Sequence, residues 1–143
     1  MLLFFCGLFI VVAGINKVGV VEKMFVPLKD FFGVSVWQQL SVFSAVSILF
    51  SNLVSNVPFV LIAAHWVEAF AEPQTMWLAL AMASTFAGNF TVVGSVANMI
   101  VMELSREHVR IPFWTFFKIG APLTLLSTLI GIIILGIYSI LGF

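Results

Sequence analysis

Ser51-Asn52-Leu53-Val54-Ser55-Asn56-Val57-Pro58 interrupts an apolar stretch that runs from Val34 to Phe70. Length decides how that stretch meets a lipid core. A continuous helix from Trp37 to Trp66 would measure about 45 Å at 1.5 Å per residue, too long for one crossing of about 30 Å and too short for two. The expected arrangement is a hairpin over 34–70 with its tip at 51–58, and a tilted span broken at its middle stays open as the alternative. Unpaired backbone groups cost several kcal/mol each in hydrocarbon, so irregular chain at membrane depth persists only inside protein or beside a water-filled cavity. The motif is therefore expected to line a site. Asn56 is the expected N-cap of the returning limb, and Pro58, in its first turn, loses no needed hydrogen bond. That arrangement aims the positive end of a helix into the protein.

A second interruption, Gly88-Asn89-Phe90-Thr91-Val92-Val93-Gly94-Ser95-Val96-Ala97-Asn98, falls within the apolar segment 75–104 and leaves two helical pieces that together span once, with the break at 88–94. Its glycines permit backbone angles that other residues resist. Ser95 is placed to cap the second piece, while Asn89, Thr91, Asn98 and released carbonyls offer neutral oxygens of the kind that bind Na⁺. Broken helices that turn carbonyl ends to a cation and amide ends to an anion are how many secondary transporters build midplane sites. The candidate substrate- or ion-binding residues are thus Ser51, Asn52, Ser55, Asn56, Pro58, Gly88, Asn89, Thr91, Gly94, Ser95 and Asn98. A kinked packing helix is the structural alternative for the second motif. Two repeats accompany the breaks: Ser41, Ser44, Ser47, Ser51 and Ser55 share one helical side, and Ala79, Ala83 and Ala87 form a smooth face for close helix contact. The hydroxyls can bond back to their own turn, allow close packing, or lead to the site at the end of the row.

The whole chain is 62% hydrophobic and 8% charged with a mean hydropathy of +1.21, where a soluble domain carries about 25% charge. Net charge is zero and basic residues are few, which excludes nucleic acid as a partner. The single cysteine, Cys6, excludes an internal disulfide and a cysteine-based metal cluster. Residues 1–15 are apolar but too short to span, and read as part of a membrane helix; a signal peptide would have that length but would carry a basic start. A chain that opens in mid-helix is expected to be a piece of something larger. Residues 16–32 fit either an interfacial helix, with Val21, Met24, Phe25 and Leu28 on one face, or a loop, and Pro27 would bend or end a helix there. The last apolar run, 113–142, is long enough to span with tilt or a bend near Pro122. Trp37, Trp66, Trp77 and Trp114 fall at the expected helix ends, as interfacial indoles do. His65 and Glu68 read as solvated, Glu103, Arg106, Glu107 and Arg110 as surface charges, and Lys118 as snorkelling. The fold class expected is an all-α membrane protein with a re-entrant helical hairpin and a discontinuous helix.

Ser-Asn-Leu-Val-Ser-Asn-Val-Pro at 51–58 together with Ala-Gly-Asn-Phe-Thr-Val-Val-Gly-Ser-Val-Ala-Asn at 87–98 resembles the ion transporter superfamily, which includes citrate transporter-like anion permeases, arsenite permeases, divalent-anion/sodium symporters and a branch of Na⁺/H⁺ antiporters. The resemblance covers nearly the whole chain and corresponds to the C-terminal part of the second of two inverted repeats. It implies a cation or substrate near Ser51, Ser55, Asn56, Asn89 and Gly94, with Na⁺ placed near Ser51, Ser55, Asn56 and Gly94. Ser55-Asn56 matches the first two residues of the Ser-Asn-Thr signature of the dicarboxylate symporters, but Val57 replaces the threonine. Asn56-Val57-Pro58 is nearer to the arsenite-permease and general anion-permease branches. Lys and Arg occupy both 16–30 and 106–118, so charge alone makes 34–70 a crossing, whereas the resemblance makes 16–30 an external interfacial helix and 105–118 cytoplasmic.

The function expected is secondary active transport of a small anion, coupled to Na⁺ or H⁺, in a prokaryotic plasma membrane, with no other cofactor. Arsenite or antimonite efflux, Na⁺/H⁺ antiport and a non-transporting assembly subunit are the alternatives. Expected partners are the bilayer, the anion, and the missing N-terminal half of the carrier or a second copy; a homodimer stays open. No catalytic residue emerges, because the Ser-rich segments have no partnered His or Asp, so the chain is not expected to be an enzyme.

Overall fold

The computed structural model describes residues 2–54, 56–108 and 110–142, with the backbone alone at 2–5, 8, 16, 20–22 and 24. Within the described residues the chain is all-helical: α1 (Leu2–Lys17), α2 (Val20–Phe32), α3 (Val36–Val54), α4 (Asn56–Val67), α5 (Pro73–Ala87), a 3₁₀ turn (Val92–Gly94), α6 (Val96–Ser105) and α7 (Phe113–Leu141). Gly19 and Gly33 bracket α2 at φ 69° and 65°, angles that a side chain resists, and so separate it sharply from α1 and α3. Residues 20–32 are helical, and Pro27 sits inside α2 without ending it.

The chain doubles back between α3 and α4. Phe50 stacks on Phe59 with 6.0 Å between ring centroids, and Phe43, two turns earlier, meets Phe70 beyond the end of α4 at 5.4 Å. The break itself is narrower than a tip over 51–58. Helix α3 stays regular through Ser51, Asn52, Leu53 and Val54, and α4 begins at Asn56, so only position 55, outside the described residues, separates them. Two local features allow this: the Asn52 amide returns to the Ile48 carbonyl at 2.8 Å, and Pro58 occupies the third position of α4, where no intrahelical N–H bond is lost.

Helices α3 and α5 pack along one another, α7 lies against both, α4 packs on α3 and α5, and α1 and α2 lie against α4. Ala79, Ala83 and Ala87 are wholly buried. An aromatic cluster closes one end of the body: Phe32 and Phe70 lie 5.0 Å apart, and Phe25 stacks on Trp66 at 5.7 Å. Trp66 is 2% exposed, which corrects its assignment to an interface; Phe25 and Phe59 enclose the indole, whereas Trp37, Trp77 and Trp114 stay 40%, 43% and 67% exposed. Trp66→Ala is expected to cost about 3–5 kcal/mol, read as a lowered melting temperature in detergent, because it empties a closed aromatic pocket.

Helix α7, with 29 residues, is the one described helix both long and apolar enough to cross a bilayer, and most of its apolar side chains point outward. Its inner edge carries small residues. A side chain on Gly120 would strike the Asn89 carbonyl, one on Gly131 the Met82 thioether, and one on Gly136 the Trp37 ring. Near its end, Ser139 donates a short hydrogen bond to the Glu72 carboxylate, which also accepts from Thr75 at 3.2 Å.

Candidate functional site

The C-terminal end of α5 organises the site. The last carbonyls of any helix lack intrahelical donors, and here three other helices supply them. Thr124 on α7 donates to the Phe86 carbonyl at 3.1 Å, Asn52 on α3 to Ala87 at 3.1 Å, and Asn98 on α6 to Gly88 at 2.6 Å. Asn52 also accepts, at 2.6 Å, from the Thr91 hydroxyl, and Thr91 Oγ1 in turn accepts from the Gly94 N–H at 3.1 Å. One closed relay thus ties the last turn of α3, the end of α5 and the 3₁₀ turn together.

Both glycines of the break act by lacking a side chain rather than by unusual angles. Gly88 has φ −59° and ψ −25°, ordinary helical values, and Gly94 is not among the positive-φ glycines. A Cβ on Gly94 would stand 2.5 Å from Asn52 Oδ1 and 2.8 Å from the Ala87 carbonyl; one on Gly88 would meet Ser95 Cβ at 3.2 Å. The close approach of backbone to the Asn52 amide is what the sequence requires at 94.

Expected site residues divide into two sets. Asn52, Gly88, Thr91, Gly94 and Asn98 are joined by the hydrogen bonds and close contacts above, with their polar groups turned toward one another. Ser51 is wholly buried and bonds no described group. Ser95 is the N-cap of α6 in extended backbone but its side chain makes no capping bond, whereas Thr91 caps the 3₁₀ turn by accepting from the Gly94 N–H. Asn56 is the first residue of α4 rather than its N-cap, and its Oδ1 accepts from the adjacent Val57 N–H at 2.9 Å. Pro58 is buried one residue on, the Asn89 side chain is exposed, and Ser55 lies outside the described residues. The Asn56 and Asn89 side chains are therefore not drawn into the relay.

The hydroxyl row also divides. Ser41 is exposed and donates to the Trp37 carbonyl at 2.7 Å, while Ser44, Ser47 and Ser51 are wholly buried. Thr124 escaped the sequence reading. Its signal was Gly120, Thr124 and Thr128 at four-residue spacing on an otherwise apolar helix, a small and polar stripe of the kind that packs against a neighbour.

No ionisable residue occurs between 31 and 64 or between 73 and 102, so the segments that carry Asn52, Thr91, Gly94 and Asn98 are themselves neutral. Next to it opens a groove of about 450 Å³ between Val92, Met99, Glu103, Arg106 and Arg110. Glu103 and Arg106 pair there at 3.6 Å on the exposed surface. Among the described residues, no group of three or more His, Cys, Asp or Glu could hold a metal ion.

Residues 1–87 match the family described as "Citrate transporter". A silicon efflux transporter of Oryza sativa subsp. japonica is 38% identical over 95% of the chain and 30% of its own length. A protein of Dictyostelium discoideum that carries the transporter name arsB is 40% identical over 92% of the chain and 24% of its own length. An uncharacterized transporter of Mycobacterium tuberculosis is 31% identical over 99% of the chain and 35% of its own length. The chain thus spans a quarter to a third of the length of these relatives. No solved structure matches it significantly.

Proposed function

The chain belongs to the citrate transporter family, and from that premise we propose that it forms the site-bearing part of a secondary carrier that moves a small anion across a membrane, coupled to Na⁺ or H⁺. It is a membrane protein of a transporter family, not an enzyme. The single observation that carries the reading is the Asn52 relay: in a chain this apolar, three helices converge on the released end of a fourth. Helix ends buried without such partners are unstable in lipid, so carriers keep them where a substrate passes. The N-termini of α4 and α6 lie beside the two breaks and suit an anion, while Ser51, Ser55, Asn56 and Gly94 supply oxygens for a cation. The remainder of the site comes from the other part of the carrier or from a second copy, and a homodimer is one assembly that would supply it. A prokaryotic plasma membrane is the setting proposed, for which the mycobacterial relative speaks and the rice and Dictyostelium relatives do not.

A second reading is favoured by the neutral lining and by the names of two relatives: efflux of an uncharged hydroxylated oxyacid such as arsenite. Neutral amides and hydroxyls hydrogen-bond such a solute without a charge to desolvate. Uptake and efflux of citrate, arsenite and silicic acid by the complete carrier separate the two. Asn56→Ala and Asn89→Ala are each expected to lower transport at least tenfold, a loss of about 1.4 kcal/mol in transition-state binding. Wild-type rates in both variants would remove these side chains from the site.

A further inference from the structure

In the described structure every buried Ser or Thr belongs to the three helices that pack together, α3, α5 and α7: Ser44, Ser47, Ser51, Thr75, Ser84, Thr124 and Thr128, of which Thr75 donates to the Glu72 carboxylate. Ser84 and Thr124 donate to the Ala81 and Phe86 carbonyls. Ser44, Ser47, Ser51 and Thr128 hydrogen-bond no described group. A helical hydroxyl has an acceptor at hand one turn back, and Ser41, Thr85 and Ser105 each use it at 2.7 Å. The three serines that follow Ser41 on α3 do not, and their oxygens lie in the packed interior.

Register brings Thr128 to the same place. Trp37 at the start of α3 lies against Gly136, while Asn52 at its end bonds Ala87, next to the Phe86 carbonyl that Thr124 holds. Helix α7 therefore runs antiparallel to α3, and Thr128, one turn past Thr124, falls at about the height of Ser47, between Ser44 and Ser51. A buried unpaired hydroxyl costs about 1–3 kcal/mol. Four in one seam amount to a substantial fraction of the stability of an ordinary domain. Buried water, which makes about three hydrogen bonds to such groups, removes that cost.

We propose that Ser44, Ser47, Ser51 and Thr128 hold a file of water molecules inside the membrane body, and that the file conducts protons between the Asn52 relay and the opposite end of α3. Each water and hydroxyl donates one hydrogen bond and accepts another, so a proton entering at one end releases a different one at the other, with no net bond made or broken and no redox change. Helices α3 and α5 carry no ionisable side chain, and on α7 Lys118 and Tyr138 stand about three turns to either side of Thr128. His65 on α4 and the described charges of α2, Lys23, Lys29 and Asp30, are exposed. The use of the file for coupling rests on the transport reading; its hydration does not.

Hydration is read from water-to-protein magnetisation transfer by solid-state NMR on the chain in bilayers. Transfer to Ser44, Ser47 and Thr128 is expected to be as fast as to exposed Ser41 and far faster than to Ala79 or Ala83. Thr128→Val, which keeps the shape and loses the hydroxyl, is expected to lose it at Ser47, while Ser47→Thr, which keeps a hydroxyl, retains it. Transfer as slow at Ser44 and Ser47 as at Ala79 overturns the proposal. The proton role is read in liposomes holding the chain, with an imposed pH difference and a trapped pH-sensitive dye. The wild type and Ser47→Thr are expected to dissipate the difference faster than Thr128→Val, and equal rates overturn the proton role. Failure of substrate uptake would sink the carrier reading while leaving the hydration result standing.

Discussion

Asn52→Ala is expected to abolish transport and to destabilise the helical body by about 2–4 kcal/mol. The amide is used on both sides: its Nδ2 donates to Ile48 and Ala87, and its Oδ1 accepts from Thr91. Truncation leaves the Thr91 hydroxyl without its acceptor and takes one of two donors from the Ala87 carbonyl, which keeps the Phe90 N–H. The stranded hydroxyl costs about 1–3 kcal/mol, and the bonds lost at the Ile48 and Ala87 carbonyls add about 1 kcal/mol. Asn52→Asp keeps an acceptor for Thr91 but sets a carboxylate against two carbonyl oxygens, so it is expected to be no better than alanine. Melting in detergent and substrate flux in cells check both, and wild-type flux in Asn52→Ala would show that the relay is not needed for transport.

The second large effect is expected at Gly94. A methyl group there would press on Asn52 Oδ1 and on the Ala87 backbone oxygen, at 2.5 and 2.8 Å. The amide can rotate only by breaking its bonds, and the carbonyl belongs to the helix end, so the 3₁₀ turn has to move. Overpacking of this kind costs about 1–3 kcal/mol, and because the strain falls on the relay, flux is expected to be lost along with stability. Gly88→Ala is the graded control. Its new Cβ would meet Ser95 Cβ and the Thr85 carbonyl at 3.2 Å, which a few tenths of an ångström relieve. The ordering of the two variants is the measurement that matters: a Gly88→Ala carrier more damaged than Gly94→Ala would contradict the packing described.

The all-helical membrane class and the transporter family were legible in the sequence because they rest on composition and on two polar motifs that apolar segments seldom carry. The division of labour inside those motifs was not. Asn52 reads in sequence as part of an irregular tip, yet it sits on a regular helix, because its amide can satisfy the end of α5 only after α3 and α5 have packed. Gly88 and Gly94 read as sources of unusual backbone angles, whereas their value is steric and depends on a partner 42 positions upstream for Gly94. Trp66 reads as an interfacial indole by position, and is enclosed because α2 brings Phe25 against it. The Gly120, Thr124 and Thr128 stripe marks a packing edge, but the role of Thr124 was hidden for the same reason: its partner, the Phe86 carbonyl, is a backbone atom on another helix. Local pattern identifies elements, and contacts distant in sequence assign roles.

The 29 residues of α7 measure about 43 Å against a hydrocarbon layer of about 30 Å, so the helix exceeds the layer it occupies. Hydrophobic mismatch of that size is relieved by leaning, and the lean grows as the bilayer thins. Helix α7 is not free to lean alone, being fastened to the start of α5 through Ser139 and Glu72 and to its end through Thr124 and Phe86. Lipid chain length is therefore expected to act on the angle of α5, and through it on the hydrogen-bonded end where α5 stops, so that bilayer thickness becomes a mechanical load on the Asn52 relay.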